Sequence, residues 1–448
     1  MPKRINVSDY RNAARRRLPH IVYDFLEGGA LDEQTLASNT ADLAGSPLQQ
    51  RIMRDVSGID LSTSVLGHRL RTPVLIAPMG LLSLFHPQAD VHLARAAQAA
   101  GTVFVHSAWS GTPLKDVVAA APGSVWCQAA LWADPRLVDQ HLERAADAGV
   151  DVLVIAGDVS VSSKRERDLH NGFTMRARPS VRGVFNAVRK PRWVSNFLFG
   201  PKITFGDQST EGRPMTIQEM GEFMEADNDR VTWDDVRSIR ERWPGKLVVK
   251  GIMSPADAQL AIDAGVDGIY ISNHGGRQFD AQPSTFSALP AIAETVGDQA
   301  DILVDSGIRR GSDIVKMRAL GATACLIGRP AVYGAVQSGQ RGAAAILDIL
   351  TAELATALAF TGATSLADVG PGTLALNGTL TTAARAASPR LTGSRDHGDE
   401  RSADTTPEPA SVTPQSTPTS TGPCPHQAAP MKDHHDKQRH HAHPDALG

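Results

Sequence analysis

Eight short apolar runs recur between Val74 and Gly328, and longer helix-patterned segments separate most of them. The runs are Val74–Ala77, Val103–His106, Val125–Gln128, Val152–Ala156, Leu247–Lys250, Gly268–Ser272, Ile302–Asp305 and Ala324–Gly328. Alternation of this kind calls for parallel strands joined by crossover helices, here expected at Ala89–Ala100, Arg136–Ala148, Pro255–Ala264 and Gly311–Leu320. Eight such units without a gap in the count predict an α/β protein with a closed (β/α)8 TIM barrel. Val7–Leu18 and Val22–Gly28 read as helices of an N-terminal cap.

Two segments depart from this rhythm. After the fourth run the chain takes an outsized connection, residues 160–246, before the fifth. Connections that long are usually functional, and a lid is expected. It carries Arg189-Lys190-Pro191-Arg192-Trp193 and then Phe197-Leu198-Phe199. The preferred reading packs these aromatics over the active site with the arginines solvated; contact with an anionic membrane surface is the alternative. From Ser388 to Gly448 the sequence turns rich in Ser, Thr, Pro, Asp and His and nearly loses its aliphatic residues. Such a stretch buries too little to offset its ordering entropy, so residues 388–448 are expected to form a disordered tail outside a 1–387 domain. Its seven histidines are expected to bind metal only weakly, and no metal site is assigned.

Near-neutral net charge, -3, with mixed signs gives no reason to expect a nucleic-acid partner. The three cysteines, Cys127, Cys325 and Cys424, form no CxxC pair, which argues against a disulfide framework and suits the cytoplasm. The N-terminus has no apolar signal core, and the most apolar stretch, Ala343 to Ala363, is interrupted by Asp348 and Glu353. It is expected to be an amphipathic helix rather than a span, and the protein to be soluble.

A barrel of this type places its active site at the C-terminal ends of the strands, and the polar residues of this chain gather there. The fifth run ends Lys250-Gly251, the sixth runs into Ser272-Asn273-His274-Gly275-Gly276-Arg277-Gln278, the seventh into Asp305-Ser306-Gly307-Ile308-Arg309-Arg310-Gly311, and the eighth into Gly328-Arg329-Pro330. The last two are glycine-rich turns with arginines directly ahead of helices, where backbone amides and a guanidinium can cradle a phosphate. Singly, His274 would more often be a turn histidine, Lys250 a strand-capping lysine and Arg309 or Arg329 a surface charge. Their joint placement at successive strand ends is what those readings do not require.

These motifs, with Leu303-Val304 ahead of the seventh and Ile327 ahead of the eighth, resemble the FMN-dependent L-2-hydroxy-acid oxidase/dehydrogenase family, from about Val7 to Asp368. The resemblance implies FMN, a small-molecule 2-hydroxy acid as substrate, and oxygen, a quinone or a redox protein as electron acceptor. It also implies a homo-oligomer, a tetramer. His274 would take a proton from substrate, with Asp158 and Asp305 as candidates to stabilise its charged form. Arg165 and Arg277 would bind the substrate carboxylate, and Trp109 would line the pocket. Lys250 would stand by the flavin, with Ser107, Gln128 and Ser272 near its ring system. Asp305, Gly307, Arg309, Gly328 and Arg329 would hold its ribityl chain and phosphate.

The departures are informative. Phe25 and Ala130 stand where the family carries substrate-side tyrosines. The turn after the first run reads Ala77-Pro78-Met79-Gly80 rather than Ala-Pro-Thr, and a flavin-side threonine becomes Ala156. Gly80, where oxidases of the family often have alanine, leans toward a dehydrogenase. Loss of two hydroxyls and one ring predicts a larger, more apolar pocket than glycolate or lactate needs. Two other readings stand beside the leading one: the same flavin chemistry on a bulkier or amine-bearing metabolite, and a non-catalytic flavin-binding relative. Retention of His274, Lys250 and Arg277 together argues against the last.

Overall fold

The computed structural model describes residues 3–375 apart from 133–134, 174–180, 202–203, 211–212, 217–218 and 220–229. Eight parallel strands close into a barrel: β1 (Val74–Ile76), β2 (Phe104–His106), β3 (Val125–Ala130), β4 (Val152–Ala156), β5 (Lys246–Ile252), β6 (Gly268–Ile271), β7 (Asp301–Val304) and β8 (Ala324–Ile327). Each pairs with its sequence neighbours, and β8 closes onto β1 through Cys325–Val74 to Ile327–Ile76. The expected TIM barrel is therefore the observed one.

Side chains alternate across each strand because successive Cβ atoms point to opposite faces. Val152 and Val154 of β4 turn into the barrel with Trp126, Val248, Tyr270 and Leu303. Leu153 and Ile155 turn outward to the larger core under the helices. Both faces are dry, which is why these runs are continuously apolar in sequence. A two-stranded ribbon, Thr63–Val65 with His68–Leu70, plugs the lower end by adding Val65, Leu66 and Leu70 to the inner cluster.

α1 (Val7–Arg17) packs against the helix Arg329–Ser338, and α2 (His20–Glu27) and α3 (Gln34–Gly45) cover the upper end. The sequence reading omitted α3, although Thr35, Asn39 and Leu43 bury one face at four-residue spacing. Asn39 exchanges side-chain hydrogen bonds of 2.9 and 2.7 Å with Asn273 beyond β6, and Gly307 fits beneath because a Cβ there would meet the Asn39 carbonyl at 2.0 Å.

The connection after β4 is no plain loop. It contains helices Glu166–His170, Val181–Val188 and Pro191–Phe199 and a strand pair, Thr204–Thr210 with Arg213–Thr216, and the barrel helix Trp233–Arg242 already begins before residue 246. Phe197, Leu198 and Phe199 are 51%, 63% and 86% exposed, so they do not pack over the active site as expected; Phe173 and Phe205 of the same segment do reach the cavity. Trp193 is the inward-turned aromatic of this helix, donating from Nε1 to the Leu84 carbonyl at 2.9 Å.

Contrary to the sequence expectation, one helix, Gln340–Thr361, has the length and composition to cross a membrane. Ala343, Ile346, Leu347, Leu350, Leu354 and Leu358 nevertheless form a buried stripe against the barrel, the pattern of a core helix. The 388–448 segment, Cys424 included, lies outside the described residues.

Candidate active site

The strand ends open into a cavity of about 770 Å³, a size typical of small-molecule and cofactor sites. Its chemical centre is built by a bulge. Between β5 and β6 the register slips so that Tyr270 faces Lys250 while Ile271 faces Ile252. The extra residue, Gly251, sits at φ +103°, and a Cβ there would lie 2.5 Å from the Asp158 Cβ. Only glycine lets the Asp158 carboxylate approach so closely. Lys250 Nζ donates to Asp158 Oδ2 at 3.3 Å, and His274 Nδ1 lies 3.0 Å from the same oxygen.

The protonation of this trio follows from its surroundings. Burial would raise the Asp158 pKa, but Lys250 and then His274 pull it well below the usual carboxylate range. An ionised carboxylate only accepts, so His274 presents Nδ1–H to it and keeps Nε2 as a free base. Burial first, and then Lys250, lower the His274 pKa, against the pull of Asp158. The imidazole is thus neutral near pH 7. Its backbone is held at φ +57°, followed by Gly275 and Gly276 at +66° and +73°. A left-handed histidine is strained, and such strain persists where surrounding bonds over-determine it. Ser272 Oγ accepts the His274 amide at 3.1 Å, and the Gly276 amide returns to the Asn273 carbonyl at 2.9 Å.

Two guanidiniums face this centre. Arg277 lies 5.2 Å above the Phe25 ring and donates through Nη1 to the carbonyls of Phe25 and Gly28 at 2.8 and 2.6 Å. Arg165 donates to the Arg277 carbonyl and to Gln278 Oε1 at 3.3 and 3.1 Å. Burial, then mutual repulsion with Arg165 and Arg329, depress the Arg277 pKa well below its usual value. Asp168 is the neighbouring carboxylate, 6% exposed, with its own pKa raised by burial and Oδ1 without a partner among the described residues. Crowded guanidiniums in a dry cavity favour an anionic occupant.

Most residues singled out from sequence line the one cavity: Phe25, Ala77, Pro78, Met79, Ser107, Trp109, Gln128, Ala130, Arg165, Lys250, His274, Arg277, Asp305, Gly307, Arg309, Gly328 and Arg329. Asp158 and Ser272 stand behind His274 instead. Asp305 does not bond to His274; it accepts from Tyr270 Oη at 2.8 Å and Ser306 Oγ at 2.7 Å. Arg329 spends its guanidinium on the carbonyls of Leu26, Gly275 and Gly28, at 2.9, 3.1 and 3.0 Å. Arg309 gives one nitrogen to the Ile308 carbonyl at 2.8 Å. Sequence reasoning missed Asp168, Trp132, Phe173 and Phe205, and carried Gln278 only as the last residue of its motif, without a role. Asp168 lies three residues past Arg165 in a charged run that gives it no distinct signal; Trp132, two residues past Ala130, offered an aromatic signal beside the missing tyrosine.

The comparisons agree with this geometry. A family model described as FMN-dependent dehydrogenase matches residues 14–376. The L-lactate dehydrogenases of Azorhizobium caulinodans and Stenotrophomonas maltophilia are each 40% identical to this chain. The first aligns over 81% of this chain and 96% of its own length, the second over 82% and 97%. A monotopic membrane protein, (S)-mandelate dehydrogenase, superposes with a TM-score of 0.79 at 36% identity, covering 84% of this chain and all of its own. A soluble mutant of the membrane-associated (S)-mandelate dehydrogenase from Pseudomonas putida gives 0.71 at 35%, covering 83% and 99%. With His274, Lys250 and Arg277 set at the strand ends of the matched region, the chain belongs to the family of FMN-dependent dehydrogenases.

Proposed function

We propose that His274 is the base with which this protein oxidises an L-2-hydroxy acid to the 2-oxo acid, and that the preferred acid carries an aromatic or long apolar side chain. The FMN-dependent 2-hydroxy-acid reaction itself follows from the family. The observation that carries the role of His274 is the Lys250–Asp158–His274 cluster, which leaves a neutral imidazole nitrogen at the cavity opposite two arginines.

The residues present fit FMN. Gly307 and Gly328 present bare backbone to the cavity, where a Cβ on Gly328 would meet Met79 Sδ at 3.3 Å. Arg309 is better placed than Arg329 for the phosphate, since Arg329 is occupied by carbonyls. Lys250, Ser107 and Gln128 supply donors along the cavity floor. When bound, FMN would supply the acceptor for the two electrons leaving the substrate carbon. Arg165 and Arg277 hold the substrate carboxylate, His274 Nε2 takes the proton, and Asp158 stabilises the imidazolium that results. Lys250 places positive charge where reduction builds negative charge.

The substrate preference rests on the wall. Phe25 stacks on Phe173 and Phe85, at 4.5 and 6.0 Å between centroids, and offers no hydroxyl. Around Ala130 stand Trp109 and Trp132, edge to face at 6.2 Å, with Phe205 from the long connection. An apolar substituent buried there gains about 25 cal/mol per Å². Anaerobic bleaching of the flavin by a panel of L-2-hydroxy acids tests this: aromatic acids should give a higher kcat/KM than glycolate or L-lactate, and the reverse order overturns the preference.

The exposed Phe197, Leu198 and Phe199 beside Arg192 support a second reading, peripheral contact with an anionic membrane from the cytoplasmic side. A quinone in that membrane would then be the acceptor. Replacing the three by serine should abolish co-sedimentation with phosphatidylglycerol vesicles while flavin content stays unchanged.

A further inference from the structure

Away from the active site, α1 ends in Arg15-Arg16-Arg17, and the segment before it begins Lys3-Arg4. A second cavity, about 450 Å³, lies between α1, the helix Pro191–Phe199 and the end of the helix Arg329–Ser338. Among the described residues, Lys3, Arg4, Arg16, Arg17 and Arg192 line it with one carboxylate, Asp9, which already accepts the Ile5 amide at 2.9 Å. It shares no lining residue with the central cavity. Lys190 Nζ donates to the Arg16 carbonyl at 2.7 Å, and Arg17 Nη1 to the Val336 carbonyl at 2.9 Å, so the three elements are tied together around it.

Gln337 supplies the independent observation. It lines the same cavity, is 4% exposed, and its Nε2 has no hydrogen-bond partner among the described residues. A buried amide donor left unpaired is costly, so such a group needs an acceptor. Arg16, Arg17 and Arg192 also bring like charges together, which a bound anion would neutralise.

We propose that this cavity is a binding site for a phosphate group, presented by an anionic lipid headgroup or by a free phosphorylated solute, with Arg16, Arg17 and Arg192 as its cations and Gln337 Nε2 as the buried donor. A phosphate fits both features, because its oxygens take charge-assisted bonds from guanidiniums and a further bond from an amide. Burial, followed by repulsion from Arg192 and Arg4, lowers the Arg17 pKa. The site and the active site are separate, so either assignment stands without the other.

The test uses full-length flavin-loaded protein, with Gln337→Met and the double variant Arg16→Gln with Arg192→Gln. None of these residues lines the central cavity, so flavin reduction by substrate should match the parent and certify the fold. Inorganic pyrophosphate, titrated calorimetrically, should bind saturably at one site per chain. It should weaken about 10-fold in Gln337→Met, roughly the worth of one charge-assisted hydrogen bond, and more in the double variant. Phosphatidylcholine vesicles with and without phosphatidic acid distinguish the source. Retention by phosphatidic acid that is lost in Gln337→Met, without pyrophosphate binding, assigns a lipid headgroup; pyrophosphate binding alone assigns a free solute. Gln337→Met leaves the surface charge untouched, so general attraction to anions does not explain its effect. Absence of both bindings, or binding equal in parent and Gln337→Met, overturns the proposal.

Discussion

The floor and the outer wall of the central cavity are built on different principles. The floor residues Ser107, Gln128, Lys250 and Gly328 project from barrel strand ends, and Ser107, Gln128 and Lys250 are 2–4% exposed. The wall residues Phe25, Arg165, Asp168, Phe173 and Phe205 come from α2 and the long connection, segments outside the barrel's repeat. On the proposed reading the floor would serve the chemistry and the wall would set which acid is accepted. Of the two substrate-side departures, Phe25 belongs to the wall whereas Ala130 ends β3.

The sharpest attack on this division is at the base. His274→Ala should retain flavin yet slow its anaerobic reduction by ~10²–10⁴-fold, the usual worth of a general base. Stopped-flow bleaching measures it, and near-normal reduction removes His274 from the role. Next comes Arg309→Ala, expected to weaken FMN retention by roughly 10–100-fold through loss of charged hydrogen bonds to phosphate. Flavin per chain after dialysis reads this out; a comparable loss from Phe25→Ala would mean the wall holds the cofactor too. The double change Phe25→Tyr with Ala130→Tyr should move the kcat/KM ratio about 10-fold toward glycolate and lactate, from two restored hydrogen bonds, with flavin content constant.

A smaller effect lies in pH. As the proposed base His274 would act when neutral, and burial and Lys250 place its pKa below the ordinary 6.5. Activity should therefore be complete above that value and fall as pH drops through the depressed pKa. The same protonation costs the folded state stability in acid, because the unfolded imidazole takes its proton at higher pH. Lys250→Met removes the second cause of the depression and should shift the acid limb of kcat/KM upward, though burial keeps it from rising further. Smallest of all is the outcome of deleting 388–448: melting temperature and flavin content should stay almost unchanged.

The barrel was largely legible because its strands are short, dry on both faces and closed by glycine turns; Val152–Ala156 coincides in sequence and structure. Asp158 and His274 could be paired through their family motifs, but the bulge at Gly251 that brings them together depends on strand register, which no local pattern encodes. Ser272 and Arg329 show the opposite limit. Their positions at strand ends were read correctly, whereas their bonds, to the His274 amide and to the carbonyls of Leu26, Gly275 and Gly28, depend on how the cap folds over. The wall was least legible, since Phe173 and Phe205 reach the cavity through tertiary packing alone.

The N-terminal segment touches both ends of the barrel, and its partners lie far along the chain. Asn39 bonds Asn273, 234 residues away, and the Leu66 amide bonds Asp301, 235 residues away. During synthesis the first seventy or so residues therefore emerge long before anything exists for them to dock upon. Contacts of such high sequence separation form late, after their loop-closure entropy has been met. The cap and plug should be the last pieces to lock, so flavin capture becomes a terminal event in maturation, and chains stalled before β6 would expose α1, α2 and the ribbon together to proteases and chaperones.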